Sequence, residues 1–209
     1  MSRCGVIILA AGGSSRLGRP KQLLEIEGRN LLRRSIATAL GSQCRPIFVV
    51  LGAQFEQLKE QLASPISGQP ITLLHNPIWA NGIGSSIRVG IAAAEPLCGA
   101  AVLVLCDQPM ITGAAIDELV SRRIASGKLI CAAAYNGTLG TPAVFDSSLF
   151  DELLQLGDDQ GGKAIIQRHA ADVEAMELPE ATFDIDTEAD FIRVAKLNSA
   201  KKGNRDSTQ

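Results

Sequence analysis

Short apolar runs alternate along the chain with longer segments in which apolar side chains recur every three or four positions. This is the pattern of strands joined by helices into a mostly parallel sheet. Val6 to Ala11, Pro46 to Leu51, Ile71 to His75, Ala101 to Cys106 and Leu129 to Ala134 read as fully buried strands. Pro142 to Phe145 and Glu174 to Leu178 read as weaker strands at the sheet edges. Between them Leu31, Leu32, Ile36 and Leu40 keep helical spacing, as do Phe55, Leu58 and Leu62, then Ile87, Ile91 and Ala94, and then Ile116, Leu119, Val120 and Ile124. Breakers fall at Gly41-Ser42, Ser64-Pro65 through Gly68-Gln69-Pro70, Asn76-Pro77, Gly127 and Asn136-Gly137. Right-handed crossovers between parallel strands then put helices on both faces, so a three-layer α/β/α, Rossmann-like fold is predicted. One domain is expected over residues 1–197, followed by a polar, disordered tail over 198–209.

Composition narrows the function. The chain has 209 residues, 46% hydrophobic and 20% charged, which suits a globular domain rather than a disordered one. Its net charge of -2, from 20 Lys and Arg against 22 Asp and Glu, leaves no cationic excess for nucleic acid or an anionic membrane. The apolar run Gly5 to Ala11 is far shorter than the ~20 residues that span a bilayer. It also lacks the charged flank and length of a secretion signal, so a cytoplasmic protein is expected. Cys4, Cys44, Cys98, Cys106 and Cys131 form no C-x-x-C pair and the chain has only 2 His, which suggests reduced thiols rather than disulfides or a zinc site.

The most informative segment is Leu9-Ala10-Ala11-Gly12-Gly13-Ser14-Ser15-Arg16-Leu17-Gly18-Arg19-Pro20-Lys21, a small-residue loop directly after the first strand. Small residues let backbone N–H groups approach an anion, and Arg16 and Lys21 add charged donors, so a nucleoside triphosphate fits. The alternative is a plain strand-to-helix turn with its basic residues in water. Gly13 and Gly18 have P-loop spacing, but Arg19-Pro20 follow where Lys and Ser or Thr are needed. The dinucleotide fingerprint fails too, because Ser14 and Leu17 stand at glycine positions. Gly82-Ile83-Gly84-Ser85-Ser86-Ile87 reads as a loop with Ser85 or Ser86 capping a helix start.

Asp107 stands just past the strand ending at Cys106, at the carboxyl edge where open α/β sheets bind ligands. A carboxylate there, beside a triphosphate, suits a magnesium ion; its other reading is a helix cap, a role Thr112 fills itself. Asp184 and Asp186 alternate about Ile185 and share one face of an extended segment, so either completes a metal site with Asp107. Alternatively Thr187 caps the last helix and these acids serve its dipole.

Three segments together resemble the molybdenum cofactor cytidylyltransferase family, a branch of the MobA-like nucleotidyltransferases. They are Leu9-Ala10-Ala11-Gly12 with Ser14, Arg16, Leu17, Gly18 and Lys21, then Cys106-Asp107-Gln108-Pro109, then Asp184-Ile185-Asp186-Thr187. Gly28 to Leu32, His75-Asn76-Pro77 with Trp79, Gly82, Ser85 and Ser86, Gly140 to Phe145, and Gly157 to Lys163 follow the family in order, so the likeness runs from about Val6 to Asp190. It implies a nucleotide-diphospho-sugar-transferase-like fold, Mg²⁺ as cofactor, and Asp107 as principal metal ligand. Leu-Ala-Ala-Gly in place of Leu-Ala-Gly-Gly implies CTP over GTP.

The expected roles follow. Arg16 and Lys21 hold the β- and γ-phosphates, Asp107 and preferably Asp186 hold the metal, and residues 9–16, Lys21 and Cys106 bind the nucleotide. His75, Trp79, Gly82, Ser85, Ser86, Gly140 and Pro142 are expected on the acceptor side, with capping and core packing as the alternatives for Ser85, Ser86 and Trp79. No Ser-His-Asp or Cys-His arrangement is visible, and attack by an ionised phosphate needs no general base. The expected activity is CMP transfer from CTP to the terminal phosphate of the molybdenum cofactor, with transient contact to a molybdoenzyme or its chaperone. Another phosphorylated acceptor, an oxidoreductase on this scaffold, or a non-catalytic cofactor carrier are the competing readings.

Overall fold

The computed structural model describes residues 3–14, 16–62 and 71–206, with side chains as far as Asn198. Ser15, the predicted breaker at 64–70 and residues 207–209 lie outside the described residues. The strands are β1 (Cys4–Ala10), β2 (Glu25–Ile26), β3 (Arg29–Asn30), β4 (Ile47–Leu51), β5 (Ile71–His75), β6 (Ala100–Leu105), β7 (Ile130–Tyr135), β8 (Thr138–Asp146) and β9 (Val173–Glu177). The helices are α1 (Leu31–Leu40), α2 (Phe55–Leu62), α3 (Ile83–Ala94), α4 (Gly113–Ser126), α5 (Phe150–Leu154), α6 (Gly162–Arg168) and α7 (Glu188–Asp206).

A seven-stranded sheet runs in the order β5-β4-β1-β6-β8-β7-β9, while β2 and β3 pair separately. All its pairings are parallel except those of β8, which runs against both β6 and β7. Because side chains alternate along a strand, β1 feeds both layers. Val6, Ile8 and Ala10 pack with Leu32 and Ile36 of α1, Leu58 of α2, Leu119 of α4 and Val194 of α7. Ile7 and Leu9 pack with Ile87 and Ile91 of α3, Phe150 of α5 and Ile166 of α6. Burial on both faces is why the central strands read as unbroken apolar runs.

Two expectations are corrected, and one element runs further than its apolar pattern. The strand at Pro142 to Phe145 is longer and lies inside the sheet, because Asn136 (φ 49°) and Gly137 (φ 69°) form a tight turn that folds β8 back between β7 and β6. Ile71 to His75, expected to be fully buried, is an edge strand with exposed Thr72 and His75. The polar tail continues α7 to Asp206. Thr187 Oγ1 accepts from the Asp190 N–H at 3.2 Å and Asp190 Oδ2 accepts from the Thr187 N–H at 3.0 Å, a reciprocal cap that starts the helix. No proline follows up to Asp206 to stop it.

Close contact between α3 and β1 depends on Gly90, where a Cβ would overlap Ile7 Cγ2 and lie 3.4 Å from Val50 Cγ2. Gly90→Ala is expected to destabilise the fold by about 1–3 kcal/mol through overpacking. A chemical-denaturation midpoint at or above that of wild type would show instead that α3 shifts freely. Among the described residues no helix is long and apolar enough to cross a membrane.

Candidate active site

The loop leaving β1 is held from below by Gln22, a side chain only 2% exposed. Its Nε2 donates to the carbonyls of Ala10 and Gly12, both at 2.8 Å. The Lys21 N–H donates to Ser14 Oγ at 2.9 Å, and Ser14 takes the left-handed conformation (φ 55°) that closes the loop. Gly13 lies so close to Trp79 that a Cβ would meet its ring at 2.8 Å. Trp79 therefore packs directly on the loop.

Beyond the end of β6, the carbonyl of Asp107 accepts from the Ile185 N–H at 3.0 Å and draws the late acidic segment to the loop. Lys21 Nζ then lies 2.6 Å from Asp107 Oδ2 and 2.9 Å from Asp186 Oδ1, while Arg16 pairs with Asp186 Oδ2 at 3.0 Å. Burial works against the Lys21 ammonium, but the two carboxylates outweigh it and raise its pKa. Burial likewise opposes the Asp186 carboxylate, and Lys21 and Arg16 overcome it to lower that pKa. Among the described residues Asp184 forms no hydrogen bond or ion pair with Lys21; burial and the charges of Asp107, Asp186 and Asp190 push its carboxyl up. The geometry thus joins Asp186, not Asp184, to Asp107. Asp107 Oδ1 is buried with no hydrogen-bond partner, which leaves a carboxylate oxygen for a cation.

A cavity of about 310 Å³ opens above this cluster, lined by Leu9, Ala10, Ala11, Gly12, Gly13, Lys21, Gln22, Trp79, Ala80, Gly82, Ile83, Ser86, Leu105, Cys106 and Asp107. Burial and the Asp107 charge push the Cys106 thiol up to about 12, so it stays neutral there. A smaller cavity of about 170 Å³ shares Leu9, Ile83 and Leu105 with it and extends to Tyr135, Thr138, Gly140, Thr141 and Lys163. A larger open groove of about 610 Å³, lined by Arg29, Arg34, Thr38 and Met110 among others, includes no residue of the glycine-rich loop.

Some expected acceptor residues lie elsewhere. His75 is exposed at the sheet edge and stacks on Phe55 with ring centroids 4.1 Å apart. Pro142 is buried within β8 and lines neither cavity. The serines cap nothing, because α3 begins at Ile83 with Gly82 at its N-cap. Buried Asn76 donates to Ser85 Oγ at 2.8 Å and Ser86 Oγ at 2.9 Å, and the Ser85 hydroxyl donates to the Gly82 carbonyl at 2.7 Å. Ser85 is thus committed to the fold, while Ser86 still reaches the cavity wall. Gln22, Tyr135, Thr138 and Lys163 were not among the expected site residues. Asn136-Gly137 was the signal that would have found Tyr135 and Thr138, since a tight hairpin puts its flanking residues side by side.

This mostly parallel sheet, with a glycine-rich loop and an acid at adjacent strand ends, is the architecture of nucleotidyltransferases of the nucleotide-diphospho-sugar transferase fold. Residues 6–173 match the MobA-like NTP transferase domain, and the chain belongs to that family. The molybdenum cofactor cytidylyltransferase of Escherichia coli (strain K12) is 31% identical over 193 residues, spanning 92% of this chain and 95% of that protein. Nicotine blue oxidoreductase of Paenarthrobacter nicotinovorans is 29% identical over 200 residues, spanning 90% and 94%. The crystal structure of the Rv0371c homologue from Mycobacterium sp. strain JC1 has a TM-score of 0.78 at 29% identity, covering 93% of this chain and 96% of that one.

Proposed function

We propose that this protein transfers CMP from CTP to the terminal phosphate of the molybdenum cofactor and releases pyrophosphate. The observation that carries the reading is Lys21 held between Asp107 and Asp186 at the floor of a cavity walled by the glycine-rich loop. An oxygen of the acceptor phosphate bonds to the α-phosphorus, the α–β bridging P–O bond breaks, and its electron pair leaves on pyrophosphate. The attacking oxygen is already ionised, so no side chain has to remove a proton. Arg16 and Lys21 hold the β- and γ-phosphates and offset the charge gathering on the leaving group.

Among the described residues no group of three or more His, Cys, Asp or Glu forms a complete metal cage. Two carboxylates, one with a buried oxygen lacking a donor, instead fit Mg²⁺, which takes one or two carboxylates together with substrate phosphates. Asp107 and Asp186 would hold it, and the ion would supply positive charge beside the α-phosphate. Trp79, Gly82, Ser86 and Gly140 wall the acceptor side. Leu9-Ala10-Ala11-Gly12 and the similarity to a cytidylyltransferase support CTP as donor. The free cysteines suit a cytoplasmic protein, which would hand its product to a molybdoenzyme or its chaperone.

The test is to incubate the purified protein with Mg²⁺, molybdenum cofactor and either CTP or GTP, and to follow pyrophosphate and the nucleotide-bearing product. Release with CTP and cofactor is expected. Release with CTP only when a sugar phosphate replaces the cofactor would overturn the acceptor, and no release with either nucleotide would overturn the reaction.

A further inference from the structure

We infer that Gln22 is a positioning residue that fixes the donor face of the nucleotide loop, an inference that rests on the nucleotide-binding reading of that loop. Both neighbours of its Nε2, the carbonyls of Ala10 and Gly12, accept only. The amide orientation is therefore forced, because a flipped amide would set oxygen against two oxygens. The other amide atom, Oε1, is left buried with no donor, so the side chain is not there to satisfy itself. In a trans peptide the N–H points opposite to the carbonyl of the preceding residue. Pulling the Ala10 and Gly12 carbonyls toward Gln22 turns the Ala11 and Gly13 N–H groups the other way. The Ala11 carbonyl is held too, accepting from the Ala53 N–H at 2.9 Å, which orients the Gly12 N–H.

Gly12 and Gly13 line the cavity. Their N–H groups make no hydrogen bond among the described residues and remain as donors for an anionic or carbonyl-bearing ligand. The clamp prepares these donors before ligand arrives, so its loss falls on nucleotide affinity more than on the fold.

Trp79, the sole tryptophan, packs on Gly13 and reports loop state by its fluorescence. Wild type, Gln22→Met and Gln22→Glu are titrated with α,β-methylene CTP and Mg²⁺ between pH 5.5 and 8, with thermal melting followed in parallel. Gln22→Met, similar in size but without a donor, is expected to bind at least tenfold more weakly at every pH. Gln22→Glu is expected to bind weakly at pH 8, where its carboxylate faces two carbonyls. It recovers relative to wild type on acidification, when the protonated carboxyl donates again. Wild-type affinity in Gln22→Met at any pH or in Gln22→Glu at pH 8, or equal loss in Gln22→Glu at all pH, would overturn the clamp. Absence of binding by wild type to both the CTP and the corresponding GTP analogue would instead overturn the nucleotide reading itself.

Discussion

Asp107→Asn is expected to slow nucleotidyl transfer by about 10²–10³-fold, the scale on which a preorganised electrostatic group contributes to a charged transition state. The substitution keeps the side chain's shape, and the contact that docks the late acidic segment uses the backbone carbonyl of Asp107, so the fold should survive. What is lost is one negative charge between Lys21 and the orphaned oxygen. Pyrophosphate release at saturating Mg²⁺ and CTP, set beside a melting curve, separates the two effects. Undiminished turnover in the folded variant would remove Asp107 from the metal-holding role.

Lys21→Met should cut turnover by about 10²-fold and at the same time change how the site takes a divalent ion. The Lys21 ammonium sits where it neutralises both carboxylates, at 2.6 Å and 2.9 Å. Its pKa is raised, so the stability it contributes is fully present below the unfolded value of about 10.4 and is lost only as pH rises through the higher folded value. The ammonium is thus in place throughout the neutral range and competes with an ion for Asp107 and Asp186. Removing it should let Mn²⁺, followed by electron paramagnetic resonance without nucleotide, bind more tightly than to wild type. Equal Mn²⁺ affinity in the two proteins would show that Lys21 and the ion do not compete.

The half of the candidate site built from the β1 loop and Asp107 was legible because its features are local. A small-residue loop after β1 and an acid after β6 lie at neighbouring strand ends as soon as the strands are parallel, and β1 pairs β6 in register from Cys4↔Ala100 to Leu9↔Leu105. The half beside Tyr135, Thr138 and Gly140 was less legible because its neighbours are set by a strand that reverses. The run at Pro142 to Phe145 looked short because Gly140 and Thr141 interrupt its apolar letters, although the strand begins at Thr138. The places of Ser85 and His75, outside both cavities, were hidden for another reason: their partners, Asn76 and Phe55, lie nine and twenty residues away and no periodicity marks them. Gln22 carries no signature at all, since a glutamine becomes a clamp only when two carbonyls from the preceding strand end stand beside it.

The reversed β8 has a consequence for how such a protein changes over time. The loop and Asp107 belong to the parallel half, whereas Tyr135, Thr138 and Gly140 belong to a hairpin folded in beside it. That hairpin meets β6 only over Ala100 to Leu103, short of Asp107. Substitutions near the hairpin tip can therefore reshape that wall of the cavity while the glycine-rich loop and Asp107 stay as they are, so that one half of the site can vary without rebuilding the other.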